Sequence, residues 1–306
     1  MRVFAQVITV SLCVVSSSAY ALTYPLTDSQ VVGEVITVSA KYEDTFAQLG
    51  RAHDIGAYAM ELANPGVDIW IPGEGTPITI PSAFVFPDDT RKGIVVNLPE
   101  LRLYYFDPEA GEVSTFPLGI GKDGWSTPAD QVARITEKTA NPTWVVPASI
   151  LAEHAEEGTP IPGLVDGRHV PPGDFNPLGA YRLRLSIPGI LLHGTNAPIG
   201  VGRQVTHGCM RLFPEDIETL FNMVEVGTPV YVLNDPIKLG WREKELYLEV
   251  HPSLPSHPLT TEQRKVLLVD KLEAALQGKN ATVNWRAVHE VSKQQNGVAM
   301  VIATVE

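Results

Sequence analysis

Hydrophobic and polar positions divide the chain into four stretches. A mainly apolar run, Val3 to Val15, follows Met1-Arg2 and gives way to Ser16-Ser17-Ser18-Ala19-Tyr20-Ala21. A positive start, an apolar stretch and an Ala-x-Ala end describe a secretory signal peptide, with cleavage expected after Ala21. The run is too short to span a bilayer, and no later stretch reaches the ~18 apolar residues that a span needs. Cys13 lies in the run behind Ser11-Leu12, a poor setting for lipidation.

Residues 22–85 mix the two periodicities. Val35 to Val38 alternates as a strand does. Glu43-Asp44-Thr45 can cap a helix through Phe46, Leu49 and Arg51. Ile55 to Ala63 predicts a second helix, stopped at Asn64-Pro65-Gly66, and Ile78-Thr79-Ile80 a closing strand. The unit reads β-α-α-β.

Residues 91–234 are strand-rich. Gly93–Asn97, Arg102–Phe106, Val113–Ile120, Ala180–Leu185, Ile190–His193 and Thr228–Leu233 are short apolar or alternating runs between turn residues. Pro214 opens a helix that should reach about Val224. Residues 235–306 predict a strand over Lys244–Val250 and a helix over Glu262–Leu276 capped by Thr260 or Thr261. They also predict a last strand over Gly297–Val305. The helix stripe is read as Val266, Val269, Leu272 and Leu276. The tail carries no recognisable chemistry and is expected to pack on the preceding region.

Composition narrows the function. Thirty-five acidic against 23 basic residues give a formal charge of −12, which disfavours a nucleic-acid binder. With 44% hydrophobic and 19% charged residues the 306-residue chain can build a core. Twenty-five Pro and 25 Gly favour turns and sheet. Two cysteines exclude a disulfide scaffold, and signal removal leaves Cys209 alone. A lone exported cysteine is either buried and inert or a reactive thiol.

The segment His193-Gly194-Thr195-Asn196 through Thr206-His207-Gly208-Cys209-Met210-Arg211 bears on that choice. Thiol catalysis needs a base or cation beside the sulfur, and His193 can be that base if two strands bring it to Cys209. Gly194 and Gly208 let backbone approach a substrate. The backbone at His207-Gly208-Cys209 can offer N–H donors to an oxyanion. Arg211 can fork a carboxylate, or it can lie on a solvated face. His207 holds the Cys loop through its ring, the first choice, or transfers a proton directly, or pairs with Cys209 on a metal. Two ligands do not make a metal site, and no H-E-x-x-H or C-x-x-C accompanies them. Gly119–Gly124 is Gly-rich but lacks the phosphate-loop pattern. Trp125 and Trp144 are left outside the candidate site as core or rim aromatics.

His-x12-Thr-His-Gly-Cys-x-Arg resembles the signature of the YkuD-type L,D-transpeptidase catalytic domain. Gly119-Ile120-Gly121-Lys122 with Thr127-Pro128, Asn141-Pro142-Thr143-Trp144 with Pro147, and Asn176-Pro177-Leu178-Gly179 resemble further segments of that family. Asp130 departs from it, where the family commonly has Gly. The β-α-α-β unit is similar to a LysM module through Asp44-Thr45, Asn64-Pro65 and Ile80-Pro81, with Glu43 in place of the usual Gly. The order of segments, and the mature start Leu22-Thr23-Tyr24-Pro25-Leu26, resemble the ErfK/YbiS group of Gram-negative periplasmic enzymes.

The resemblance implies a mainly β fold with short helices, a YkuD-like β-sandwich or barrel. A LysM-like domain (22–85) precedes the catalytic domain (91–234), and a small α+β subdomain (235–306) follows it. It implies Cys209 as nucleophile and His193 as general acid and base, its ring oriented by the Gly194 carbonyl. His207, Gly208, Gly194 and Thr206 would form or support the oxyanion site, and Arg211 would bind substrate. No cofactor or metal is implied. The partners would be peptidoglycan stem peptides and glycan, in the periplasm. The acyl acceptor stays open between the C-terminal Lys of an outer-membrane lipoprotein, the first choice, a stem-peptide amine giving a 3→3 link, and water. A non-catalytic wall-binding protein is the rival from another class. Oligomeric state is open.

Overall fold

The computed structural model describes residues 22–87 and 91–306, so the signal peptide expected at 1–21 lies outside the described residues. Among these, a nine-stranded sheet dominates. Its spatial order is Leu22–Pro25, Glu112–Pro117, Arg102–Asp107, Gly93–Asn97, Pro229–Leu233, Gln131–Ala140, Tyr181–Leu185, Leu191–His193 and Met210–Arg211. Two neighbour pairs are parallel: Gly93–Asn97 with Pro229–Leu233, and Leu191–His193 with Met210–Arg211. The sheet curls until Gly119, just past the second strand in this order, exchanges two 2.8 Å backbone hydrogen bonds with Arg211 on the ninth. The fold is mainly β with short helices, as expected.

The central strands read as near-continuous apolar runs because both sheet faces are covered. Ile94, Val96, Leu103, Tyr105 and Phe116 face a core completed by Ile217 and Leu220 of the helix Pro214–Met223. Val95, Tyr104, Phe106 and Val113 face a second core with Phe46, Ile55, Met60, Ile78 and Ile80. That second cover is the β-α-α-β unit, seen as Ile36–Ser39, Phe46–Ala52, Ala57–Ala63 and Pro77–Ile80. Thr45 caps its first helix through a capping box with Gln48. The second helix starts at Ala57, after Gly56 as N-cap, so Ile55 is left to fill the core. Leu22–Pro25, placed by sequence at the start of this module, joins the large sheet against Glu112–Pro117 instead.

The tail forms a second sheet, ordered Ile237–Arg242, Glu245–Val250, Met300–Val305 and Ala281–Val283. The helices Thr261–Leu276 and Trp285–Gln294 flank it, and Thr260 caps the first through a capping box. The apolar stripe expected on that first helix holds at Leu272 and Leu276 and is rotated elsewhere. Val266 and Val269 are exposed, while Leu268, Leu272 and Ala275 pack inward, at i, i+4 and i+7. Lys271 beside them bonds Asp235 at 2.7 Å, which fixes the rotation.

One buried network ties three parts of the chain together. Lys238 Nζ lies 2.8 Å from both Glu100 and Glu249. Tyr104 donates to Glu100, His251 Nε2 lies 2.6 Å from Glu249, and the Val85 N–H donates to Glu249 at 2.8 Å. Glu100, Glu249 and His251 have metal-ligand chemistry within 4.8 Å, but the Lys238 ammonium already supplies the cation between the two carboxylates. Replacing Lys238 with Met leaves two buried carboxylates without it. The expected loss is about 3–5 kcal/mol of unfolding free energy, measured by urea denaturation at neutral pH.

Candidate active site

The site is built at the ninth strand's end of the sheet. In the parallel pair, Leu192 stands opposite Met210 and His193 opposite Arg211. The chain between them returns over the short 3₁₀ turn Pro198–Gly200 and the strand Gln204–Thr206, which pairs with Ile120–Gly121. Cys209, His193, Thr206, His207 and Arg211 consequently line one cleft of about 340 Å³. Its other walls are Trp144 to Ile150, Pro177-Leu178 and Ile187 to Leu191.

Each predicted residue has a defined place. His193 is buried, and its Nδ1 lies 2.6 Å from the Gly194 carbonyl oxygen. A carbonyl only accepts, so Nδ1 carries the hydrogen and Nε2 keeps a free lone pair. Burial, and then the Arg211 charge, push the His193 pKa down to about 4. Cys209 is half-buried, and Sγ donates to the Gly189 carbonyl at 3.5 Å. Burial raises its pKa, while the Leu191 N–H and the Arg211 charge pull it back. Thiol and imidazole therefore both rest neutral at pH 7. No hydrogen bond joins them among the described residues.

The loop before the thiol is held from three sides. The Thr206 hydroxyl donates to the Cys209 carbonyl. Gly208 has φ +98°, a conformation side chains resist, which turns the chain sharply before Cys209. The buried Thr127 hydroxyl donates to the Gly208 carbonyl and accepts from the Gly121 N–H, both at 2.9 Å. His207 Nε2 lies 2.7 Å from Glu153, and Trp125 packs edge-on to its ring with centroids 5.0 Å apart. His207 thus faces a carboxylate from the helix Ala148–Glu157. Arg211 lines the cleft with its Nε buried and without a hydrogen-bond partner. No ion pair engages it among the described residues, so its fork is available to an anion.

Sequence reasoning left out several residues that shape the site. Trp144 lines the cleft wall, while Trp125 stays outside the lining and packs on the His207 ring. The helix Ala148–Glu157 and the long strand Gln131–Ala140 carried no strong periodic signal, and Glu153 went with the helix. Arg182 and Arg184 also line the cleft, both bonded to Glu137. Asn176 is fully buried, donates to the carbonyls of Pro142, Val170 and Pro171, and accepts from the Leu178 N–H. Gly179 abuts the backbone of Gly194 and Thr195, where a Cβ would sit 2.7 Å from the Thr195 nitrogen. Asp130 has φ +54°, a left-handed conformation that glycine adopts freely and Asp tolerates.

Two outcomes follow from this geometry. Thr127→Val strands the Gly121 N–H and the Gly208 carbonyl, with an expected cost of about 1–3 kcal/mol. Thermal unfolding, together with the rate of Cys209 alkylation, reads it. His193 binds its proton less readily folded than unfolded, so stability falls as pH drops from about 6.5 to about 4. Relative to His193→Gln, the wild type should lose roughly 3 kcal/mol over that window, measured by denaturant titration at pH 7 and pH 4.

Comparison with known proteins agrees with this arrangement. Residues 91–232 match the family model YkuD, the L,D-transpeptidase catalytic domain. The chain is 38% identical over 283 residues to the probable L,D-transpeptidase ErfK/SrfK of Escherichia coli K12, covering 88% of this chain and 87% of that protein. It is 40% identical over 252 residues to the probable L,D-transpeptidase YbiS of the same strain, covering 80% and 78%. It is also 40% identical over 243 residues to the probable L,D-transpeptidase YcfS of that strain, covering 77% and 74%. The chain belongs to the YkuD L,D-transpeptidase family and is an enzyme of its ErfK/YbiS type.

Proposed function

We propose that this L,D-transpeptidase works after export, in the periplasm, on the tetrapeptide stems of peptidoglycan. Cys209 Sγ attacks the carbonyl of the third stem residue, usually meso-diaminopimelate. His193 Nε2 takes the thiol proton and passes it to the leaving amine of D-Ala. The new S–C bond is a thioester, formed as the C–N bond to D-Ala breaks. An acceptor amine then attacks the same carbonyl, loses a proton to His193, and Sγ leaves to regain it. The single observation that carries this reading is the shared cleft. It holds a half-buried thiol and a neutral imidazole whose Nδ1 is fixed on Gly194, leaving Nε2 as base.

The remaining roles follow from position. The backbone N–H groups at Gly208 and Cys209 are proposed to receive the oxyanion, with His207, Thr206 and Gly194 supporting that loop. Arg211 is proposed to hold a substrate carboxylate. The preferred acceptor is proposed to be the C-terminal Lys side chain of an outer-membrane lipoprotein. Residues 1–21 are proposed as the signal peptide and 22–85 as a LysM-like module that binds glycan. Residues 91–234 are proposed as the catalytic domain and 235–306 as a supporting subdomain.

The test incubates the mature protein with disaccharide-tetrapeptide and a peptide ending in Lys, and reads products by mass spectrometry. A stem–Lys conjugate with loss of D-Ala is expected. Cys209→Ala should lower its formation by about a thousand-fold or more. A carbapenem should acylate Cys209 and no other residue. A stem–stem dimer would replace the acceptor assignment by cross-linking, and tripeptide alone by hydrolysis. Equal product from Cys209→Ala would overturn the nucleophile.

A further inference from the structure

Residues 141–180 leave the large sheet as one excursion between the strands Gln131–Ala140 and Tyr181–Leu185. Its neck is closed by the Asn141 N–H on the Ala180 carbonyl at 2.7 Å. Trp144, Val145, Pro147 and Ile150 from this excursion form one wall of the Cys209 cleft. The helix that follows, Ala148–Glu157, has no fully buried side chain. Only the half-buried Ile150 and Leu151 give this ten-residue helix apolar contact, so its own hydrogen bonds and packing hold it weakly. Polar contacts add to that hold.

Glu153 supplies them. One carboxylate oxygen accepts from Lys122 Nζ at 3.0 Å and the other from His207 Nε2 at 2.7 Å. Both partners belong to the thiol's own loop system. His207 stands two residues before Cys209, and the Lys122 N–H donates to the Thr206 carbonyl at 2.9 Å. The Lys122 and His207 bonds hold the Glu153 carboxyl below the usual glutamate range. A carboxylate only accepts, so His207 Nε2 carries its hydrogen towards Glu153 rather than towards the cleft. The neighbouring His154 is occupied with Thr159 at 2.8 Å and does not compete. The three side chains are 27–37% exposed, so the clamp can open and close without unfolding the core.

We infer that Glu153 is a positioning residue, clamping the helix Ala148–Glu157 onto His207 and Lys122 and thereby holding the Trp144–Ile150 wall over the Cys209 thiol. The clamp governs how firmly the donor peptide is held and how open the thiol is to solvent. It leaves the chemical step to Cys209 and His193. This deepens the proposed transpeptidase reading and rests on it for the substrate arm of the test.

The test compares wild type, Glu153→Ala, Glu153→Gln and Lys122→Met in two measurements. The first is steady-state kinetics with disaccharide-tetrapeptide and an amine acceptor. The second is the rate of Cys209 alkylation by iodoacetamide, which needs no transpeptidase activity. Glu153→Ala should raise the donor KM about two- to ten-fold, the range expected for two half-exposed polar contacts, with kcat within about two-fold. Alkylation should quicken by a similar factor. Glu153→Gln, which keeps a hydrogen-bonding oxygen, should recover part of both effects, and Lys122→Met should move both in the same direction by less. Unchanged KM and alkylation in Glu153→Ala would overturn the clamp. So would a fall in kcat at constant KM, which would put Glu153 in the chemistry. Should Glu153→Ala fail to fold by circular dichroism, Lys122→Met decides alone, and its equality with wild type in both measurements overturns the inference. Were the wild type to form no product, the transpeptidase mechanism would fail while the alkylation ratios still judged the clamp.

Discussion

Leu192 against Met210 and His193 against Arg211 form a two-residue parallel register at the edge of a nine-stranded sheet. Everything chemical in the molecule hangs on that register. Parallel neighbours cannot be joined by a tight hairpin, so the chain must travel out and back between His193 and Met210. The detour delivers Thr206, His207, Gly208 and Cys209 as a loop entering the last strand. A slip of one residue would turn alternate side chains to the opposite face and separate thiol from imidazole. The slip is blocked by the Gly119–Arg211 backbone pair on the other side of the same strand and by Thr127, which grips Gly208. The curl of the sheet and the placement of the nucleophile are one constraint.

Charge is arranged around this register so that the resting site is neutral at the reacting atoms. Burial raises the Cys209 pKa and lowers that of His193, which favours the neutral form of each in the free enzyme. A neutral buried thiol is a poor nucleophile until a base removes its proton. Oxidation follows thiolate character, so a thiol kept protonated by burial is also less open to it. The positive charge of the cleft is likewise graded. Arg182 and Arg184 share Glu137, whereas Arg211 has no carboxylate partner among the described residues. Arg211 beside Cys209 lowers the thiol's pKa and that of His193 together, favouring the anion and disfavouring the cation.

The catalytic strands were legible because their residues obey local rules. Gly93–Asn97 falls where its apolar run predicts it, and Thr45 and Thr260 cap the helices their positions announce. The sheet order and the second cover of its face were not legible, because they are set by contacts between distant residues. Val266 and Val269 misled because a stripe of period 3.6 can be drawn through several faces of a Leu- and Val-rich helix, and Lys271 with Asp235 selects another. Glu153 was invisible for a different reason. Its helix only half-buries Ile150 and Leu151, so its hydrophobic period is weak, and its partners lie 31 and 54 residues away. Trp144 and Trp125 were set aside on the ordinary habits of aromatics, yet Trp144 lines the cleft and Trp125 packs on the His207 ring.

The β-α-α-β unit at 36–80 occupies two positions at once. Its inner side, through Phe46, Ile55 and Met60, covers Val95, Tyr104 and Phe106 of the large sheet. Arg51 reaches across to Glu215 at 3.0 Å and Asp216 at 3.4 Å, at the start of the helix Pro214–Met223. Tyr42 and Ile71 are exposed, and the half-exposed Trp70 lines a cleft shared with Ile199, Arg203 and Phe213. The inner contacts make the unit part of the catalytic fold's stability, because removing it would open an apolar sheet face to water. The exposed Tyr42 contributes little to that burial. A unit fixed rigidly on the sheet by its inner face would hold whatever its outer face binds at a constant distance from Cys209.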